Sequence, residues 1–347
     1  MFIPKIKIYF AKEYLKILLI TIFFSSILIF ILDLAEIIRV TYNHSLSLLS
    51  IIILTSAKYM SNIITLTPII ILIATILVFY FLAKRNEMIT MVMLQISHIH
   101  IIISIVIIIA ALYIFQIFVL LPLNTKLSLQ SDMLFLKQNT TVNKHIFFKN
   151  SANQFIKIES LENNQLKNIS VWILNKNFEL SQTILSKYGE MTDKNLILYD
   201  SQLIIQNSIY LKDQIILDIQ SMQIYNNNLK PEQIEFFELP TFIKILKICG
   251  VQSAQYERYF YNHVYAIITC LSMGLIGFAS SYKVLNRYFN KMKIFYGIIT
   301  GLSIFFFTSF FLNILLSCEY NILFSVITIK FLMLSFTVGH VLRSYYN

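Results

Sequence analysis

The sequence is poor in charge: Asp, Glu, Lys and Arg together make up 13% of its 347 residues. A soluble domain of similar length carries about a quarter of its residues as charged side chains. Apolar runs of about twenty residues take their place, and such a run is long enough to cross a hydrocarbon core about 30 Å thick. These features exclude an ordinary soluble protein and predict a chain that crosses a membrane several times.

Cysteine and glycine are also scarce, at three and seven positions. Cys249, Cys270 and Cys318 show no CxxC spacing, which argues against a zinc or redox motif, so we interpret them as small buried residues. A bridge between Cys249 and Cys318 is left open, because both are expected outside the cytoplasm. The scarcity of glycine accompanies an excess of Ile, Asn and Lys, and we attribute it to coding bias.

Motifs for catalysis and nucleotide hydrolysis are missing as well. The pattern GxxxxGK[ST] does not occur, so any ATP that powers this protein must be hydrolysed by another chain. No Ser/His/Asp or paired-acid cluster stands out. His98 and His100 are two residues apart, which points their side chains away from each other on a helix. The sequence therefore predicts a protein that is not an enzyme and holds neither a cofactor nor a metal.

Six apolar runs are present, and each predicts one membrane-spanning helix. We place the helices at residues 17–32, 63–83, 99–121, 263–281, 294–316 and 322–341. No A-x-A-like cleavage site follows the first run, so it is interpreted as a helix rather than a signal peptide. The predicted domains are three helices in residues 1–122 with a cytoplasmic segment at 84–98, a polar domain in 123–255, and three more helices in 256–347.

The distribution of Lys and Arg predicts the orientation, because short cytoplasmic loops are rich in these residues. With a cytoplasmic N-terminus, most loop cations lie inside: Lys5, Lys7, Lys12, Lys16, Lys84, Arg85, Lys283, Arg287, Lys291, Lys293 and Arg343. The short outer segments then mix a few cations with acids. Both termini are predicted to be cytoplasmic and the polar domain extracytoplasmic, and the net charge of +10 then needs no nucleic-acid partner.

The polar domain is predicted to be all-β. In "NISVWILN", Ile169, Val171 and Ile173 alternate with Ser170, Trp172 and Leu174, which is the period-2 pattern of a strand. Similar stretches separated by Asn, Asp and Gly suggest a sandwich or jelly roll. After these, "LPTFIKILKICG" predicts a short amphipathic helix that leads into the fourth span.

The stretch "LAKRNEMITMVMLQIS" between the second and third spans is predicted to be cytoplasmic. Lys84 and Arg85 act there as topology signals, whereas Glu87 adds nothing to orientation. Met88 and Met91 recur at helical spacing, and a soft Met-bearing face can dock a partner helix or groove. A solvated loop at the lipid surface is the alternative.

The order of these features resembles the LptF/LptG permeases of the lipopolysaccharide export ABC transporter, and the resemblance covers essentially the whole chain. "LAKRNEMITMVMLQIS" looks like the coupling segment of the family, and "FIKIESLENNQLKNISVWILN" resembles its β domain. "ELPTFIKILKICGVQSAQYERYFYN" is similar to the G-type subunit in particular. The G type is favoured, and the F type is left open.

The resemblance implies roles for single residues. Glu87 takes the place of the acid that contacts the ATPase, with Arg85, Met88 and Met91 beside it. Lys58 matches a basic residue that faces the lipid phosphates.

The resemblance also implies a lateral gate between the first span of one subunit and the fifth span of the other. The gate maps onto residues 17–38 and 294–316, where Phe30 and Phe306 are expected to meet lipid. Arg39 is the cation nearest the outer end of the first span. Asp33 and Glu36 stand there in place of the lysines common in G-type subunits, so phosphate recognition by this chain differs or uses other residues.

Lys330 lies about a third of the way into the sixth span. A cation inside a membrane is costly and suggests a functional role, here the lining of a lipid cavity. Its long stem could instead carry the charge outward to the interface, and the residues alone do not decide between these alternatives.

We therefore predict a membrane α-helical protein of six spans, with an all-β, jelly-roll-like domain between the third and fourth, in the bacterial inner membrane. The resemblance implies a permease that extracts lipopolysaccharide and passes it to a periplasmic bridge. The implied partners are a related six-span subunit, a dimeric cytoplasmic ATPase and a bitopic LptC-like protein with its own β domain. The alternatives are a mechanotransmitting ABC permease and a membrane-anchored sensor or scaffold whose β domain binds a ligand.

Overall fold

A computed structural model of the chain describes residues 3–42, 47–87, 90, 93, 98–136, 146–150, 154–162, 165–174, 180–191, 195–205, 208–218, 223–226, 230–248, 253–282, 291–317 and 321–346. The chain divides into two compact units. Residues 1–131 and 256–347 form the first, and residues 132–255 form the second.

The first unit is helical. Its helices are α1 (Ile3–Thr41), α2 (Leu48–Lys84), α3 (His98–Phe115), the start of α4 (Leu121–Leu136), α6 (Ala254–Val264), α7 (Ala266–Tyr282), α8 (Lys291–Ser317) and α9 (Ile322–Tyr346). Five stretches of the described residues are long and apolar enough to cross a membrane, or six if α6 and α7, which meet at 44°, count as one bent span. This matches a membrane helical fold of five to six spans.

The helices are longer than the apolar runs that predict them. Residues 48–62 of α2 precede the predicted second span, and α2 continues through Pro68. Such a proline is tolerated within a membrane, because neighbouring helices and local adjustments satisfy the freed carbonyl groups. A π-helical turn at Gln116–Leu120 comes directly before Pro122, and the Leu121 N–H bonds to the Gln116 carbonyl. The helix therefore continues into α4, beyond the predicted end of the third span at Leu121.

The core of the helical unit lies where α1, α2, α3 and α7 meet. It contains aromatic and branched side chains that are almost fully buried, among them Phe10, Tyr14, Leu18, Ile71, Val78, Ile105, Ile109 and Phe278. A second cluster joins α2 and α7 to α9 through Leu72, Ile76, Met273, Ile276 and Met333. The helices α2 and α7 thus form the centre of the unit.

The second unit contains an antiparallel sheet that follows α4 in the sequence. Its strands are β1 (Ile146–Asn150), β2 (Gln154–Glu162), β3 (Gln165–Leu174), β4 (Leu180–Met191), β5 (Asn195–Ile205), β6 (Ser208–Asp218) and β7 (Gln223–Asn226). They form one sheet in the order β6-β5-β4-β3-β2-β1-β7. A turn of 3₁₀-helix (Pro231–Gln233) and the predicted amphipathic helix α5 (Leu239–Ile248) follow.

The sheet alternates as the sequence predicts. Ile169 and Val171 are 1% and 0% exposed, whereas the intervening Ser170 is partly exposed. The buried face continues through Ile156, Ile184, Leu198 and Leu217 into a single apolar cluster. The inserted all-β domain is therefore confirmed, as a sheet with one apolar face.

The pairing of the strands skips one position on five neighbouring strands, β2 to β6: Glu159, Asn168, Lys187, Asp200 and Asp213. Asn168 and Asp200 have positive φ angles of 52° and 49°, a conformation that Asn and Asp tolerate better than other non-glycine residues. Beside this row, the buried Ser186 hydroxyl donates to the Tyr188 carbonyl at 2.7 Å, and Ser201 donates to the Lys212 carbonyl at 2.9 Å. The hydroxyl groups satisfy carbonyl oxygens at the place where the ladder is interrupted.

Candidate functional site

The turn after α2 is set by Asn86. This residue has a φ of 59°, and its N–H bonds to the Ala83 carbonyl at 3.0 Å. A residue in the left-handed conformation directly after a helix is a common stop, and asparagine serves there after glycine. The Thr90 N–H bonds to the Asn86 carbonyl at 3.4 Å, and Glu87 and Thr90 are both helical.

Four side chains meet at this turn: Tyr9, Glu13, Arg85 and Glu87, named here the Glu87 cluster. The Tyr9 hydroxyl donates to Glu87 Oε2 at 2.9 Å. Arg85 Nη1 lies 3.5 Å from Glu13 Oε2 and 3.9 Å from Glu87 Oε1. The cluster therefore ties the N-terminal part of α1 to the segment that follows α2.

The exposure of these side chains differs. The Glu13 side chain is only 17% exposed, whereas Glu87 is 30% and Arg85 is 49% exposed. One guanidinium faces two carboxylates, so Glu87 keeps part of its negative charge at an accessible position. This arrangement suits an acid that receives a hydrogen bond or an ion pair from another protein. Met88 and Met91, predicted to share this surface, lie outside the described residues, and their role stays a prediction.

A second group of polar side chains lies toward the C-terminal end of α1 and in the N-terminal half of α2, away from the Glu87 cluster. Asp33 is only 4% exposed, and Asn62 Nδ2 donates to its Oδ1 atom at 2.7 Å. The other carboxylate oxygen, Oδ2, is buried and has no hydrogen-bond partner among the described residues. One helical turn further along α1, Glu36 forms an ion pair with Lys58 of α2. We name these four residues the Asp33 cluster.

The Asp33 cluster changes the environment expected for Lys58. Its ammonium group is paired with Glu36, although 30% of the side chain remains exposed. Arg39, one turn beyond Glu36 on α1, is exposed. The structure thus brings Lys58 together with the acids of α1 and leaves Arg39 as an exposed cation at the end of that helix.

The two predicted gate phenylalanines have different surroundings. Phe30 is 36% exposed and stands edge-on to the Tyr59 ring of α2, with the ring centroids 5.8 Å apart. The Tyr59 hydroxyl also lies 2.6 Å from the Ser26 hydroxyl. Phe306 of α8 is 63% exposed. Both rings therefore present apolar surface to whatever surrounds the helices.

Lys330 points toward α7. Its ammonium group donates to the Thr269 hydroxyl at 2.7 Å. Thr269 lies one turn after the bend between α6 and α7, where the Tyr113 hydroxyl of α3 donates to the carbonyls of His263 and Val264 at 2.8 and 2.7 Å. A polar region thus surrounds the bend, and the Lys330 side chain joins α9 to it.

These helices and the inserted sheet agree with a comparison against protein families. The family described as lipopolysaccharide export system permease LptF/LptG matches residues 8–343. The chain belongs to the LptF/LptG family. It is thus a multi-pass inner-membrane protein and a permease subunit of a lipopolysaccharide export ABC transporter, while the match does not separate the F type from the G type. A search of curated proteins gave no match to the chain.

Sequence reasoning singled out Glu87, Arg85, Asp33 and Lys330 but missed the side chains that contact them. The missed residues are Tyr9, Glu13, Asn62 and Thr269. One signal was available in "IYFAKEYLK", where Tyr9 and Glu13 are four residues apart and share a helix face. Uncharged Asn62 and Thr269 in apolar runs give no comparable sign of which neighbour they face.

Proposed function

We propose that this chain is the permease half that extracts lipopolysaccharide from the outer leaflet of the inner membrane and passes it to a periplasmic bridge. Its β domain is periplasmic, and both termini are cytoplasmic. A related six-span subunit completes a central cavity, a dimeric ATPase docks on the cytoplasmic side, and a bitopic LptC-like protein stands beside the pair. Membership of the family and the positions of the loop cations support this assignment.

The observation that carries the proposal is the position of Glu87. It stands directly after the left-handed Asn86 and is 30% exposed, with the Arg85 guanidinium 3.9 Å from its carboxylate. A preorganised acid at a helix start is a suitable docking point for a cationic or hydrogen-bond-donating surface of an ATPase. Met88 and Met91 are proposed to complete the surface with adaptable apolar contacts.

The transport step follows from apolar burial. Removing acyl chains from water is favourable by about 25 cal/mol per Å², so an apolar cavity captures a glycolipid by its chains. When ATP-driven closure narrows the cavity, that burial is lost, and the lipid moves to the apolar face of the periplasmic β domain.

The gate is proposed to lie between α1 of this chain and the fifth span of the related subunit, and between α8 and the first span of that subunit. Phe30 and Phe306 meet acyl chains there, and their exposed rings support this role. Arg39 and Lys58 are proposed to attract the phosphates, with Arg39 the more available of the two because Lys58 is paired with Glu36. Lys330 contributes a positive charge from the polar region at the α7 bend.

The experiment is a charge reversal at the docking acid. Glu87→Lys is expected to reduce co-purification of the ATPase, because like charges then face each other, and to reduce lipopolysaccharide export in cells. The matched control is Glu190→Lys, which reverses an exposed acid of the β domain. Membrane insertion of both variants is checked by immunoblotting of washed membranes. Normal ATPase recovery and normal export in Glu87→Lys would remove Glu87 from the mechanism.

A further inference from the structure

Polar contacts join residues 9–36 of α1 to α2 and to the residues that follow α2. At one end are Tyr9–Glu87 at 2.9 Å and Glu13–Arg85 at 3.5 Å. The remaining contacts are Tyr14–Thr75 at 3.0 Å, Ser26–Tyr59 at 2.6 Å, Asp33–Asn62 at 2.7 Å and the Glu36–Lys58 ion pair. The contacts near the start of α1 are with Thr75 and the residues after α2, and those further along α1 are with residues 58–62, so the pair is antiparallel.

Several apolar side chains in the middle of α1 are exposed instead. Phe23, Phe24 and Leu28 are 61%, 67% and 61% exposed. In lipid there is no hydrophobic driving force between helices, so packing and interhelical hydrogen bonds fix which neighbour a helix follows. The polar contacts therefore favour a pair in which α1 moves with α2.

The Glu87 cluster extends this coupling beyond the end of α2. Glu87 lies after the turn at Asn86, in the segment proposed to meet the ATPase, yet its hydrogen bond runs back to α1. Arg85 faces Glu13 of α1 and Glu87 of the segment. A displacement of this segment acts on α1 directly, through Tyr9 and Glu13.

The residues that follow α2 are named here the Glu87 segment. We propose that Tyr9 and Glu13 are positioning residues that transmit the movement of this segment to α1. The inference rests on the proposed docking of the ATPase at Glu87 and goes beyond it. Docking requires the accessible side of Glu87, whereas transmission requires its bond to Tyr9. Loss of Tyr9 or Glu13 contacts therefore leaves the ATPase bound but weakens the link between hydrolysis and movement of α1.

The test uses the full complex with its ATPase in proteoliposomes that contain lipopolysaccharide. Tyr9→Phe removes only the hydroxyl, and Glu13→Gln removes only the charge. In both variants ATPase recovery and hydrolysis are expected to stay near the unmodified level. Lipid released per ATP hydrolysed is expected to fall about fivefold, since a hydrogen bond to a charged group is lost. Tyr42→Phe is the matched control, because Tyr42 is 86% exposed near the other end of α1.

A charge exchange separates transmission from a general loss of packing. Glu13→Arg and Arg85→Glu are each expected to lower the lipid released per ATP, and the double variant is expected to regain much of it, because the ion pair is restored with reversed sign.

The inference would be overturned if Tyr9→Phe and Glu13→Gln released as much lipid per ATP hydrolysed as the unmodified protein. A fall in ATPase recovery that fully accounts for the lost export would also overturn it. If Glu87→Lys lowers ATPase recovery while Tyr9→Phe is silent, only transmission fails; if Glu87→Lys is silent, the docking proposal fails.

Discussion

Asp33 is a charged group of α1 that is almost fully buried. Its carboxylate is buried at 4% exposure, and one of its two oxygens accepts a hydrogen bond from Asn62. A buried charge is costly unless it is paired, and the nearest cation, Lys58, is bound to Glu36 instead. Lys58 therefore limits the accumulation of negative charge at this end of α1 and α2, whether or not it also contacts lipid phosphate.

This arrangement gives a prediction for Lys58. Lys58→Glu is expected to harm stability and export more than Lys58→Ala, because reversal places a third carboxylate beside Asp33 and Glu36. The double variant Lys58→Glu with Glu36→Lys exchanges the two charges and restores the ion pair, so the purified complex should recover its melting temperature. Export should stay low in the exchange if Lys58 recognises phosphate, because the cation has then moved to α1. Full recovery of export would show that only the pairing matters.

Residues of the candidate site could be predicted when their charge stood out in an apolar context. Glu87 and Lys330 were proposed in this way, because an acid beside an apolar run adds nothing to orientation and a cation inside a membrane is costly. Tyr9 and Asn62 were not found, because their roles depend on the approach of α1 to α2, which involves residues more than twenty-five positions apart. Lys58 was found, but its pairing with Glu36 was not predicted, for the same reason.

The membrane-spanning helices and the all-β character of the inserted domain were predictable, whereas helix ends and bends were not. Apolar length identifies a span, but α2 begins well before its apolar run, and a π turn carries the third span past Pro122. The bend between α6 and α7 follows from contacts such as Tyr113 with the His263 carbonyl, which hydropathy does not report. In the sheet, the alternation in "NISVWILN" was enough to predict a strand and its buried face.

The closeness of α2 and α7 gives a prediction at the scale of elements. A Cβ atom placed on Gly277 would lie 2.9 Å from Thr75 Cβ and 3.2 Å from the Leu72 carbonyl oxygen, whereas one on Gly339 of α9 would meet nothing within 4 Å. Gly277→Ala is therefore expected to destabilise the protein by about 1–3 kcal/mol through overpacking. Gly339→Ala should be neutral or slightly stabilising, because alanine favours helix more than glycine does. Thermal unfolding of the two variants in detergent measures the difference, and equal melting temperatures would contradict this close approach.

At the scale of the whole molecule, the asymmetry of charge is the main determinant of orientation. The net charge is +10, and most of the loop cations fall on the side that would hold Lys84 and Arg85. Short loops rich in Lys and Arg stay in the cytoplasm during insertion, so the sheet of residues 146–226 is expected on the opposite side. The Glu87 segment and the β domain must then be accessible from different compartments.

Cysteine labelling tests this expectation. In a chain with Cys249, Cys270 and Cys318 replaced by serine, one cysteine is placed at Leu211 of β6, which is 79% exposed, or at Met93, which is 77% exposed. Both positions are uncharged, so neither substitution alters the signal that sets the orientation. A membrane-impermeant maleimide should label the cysteine at position 211 in intact spheroplasts and the cysteine at position 93 only after lysis.

The export activity of each variant is the control, since it shows that the labelled protein is correctly assembled. The opposite labelling pattern would place the Glu87 segment outside the cytoplasm, where no ATPase could reach it, and the proposed function would fail with it.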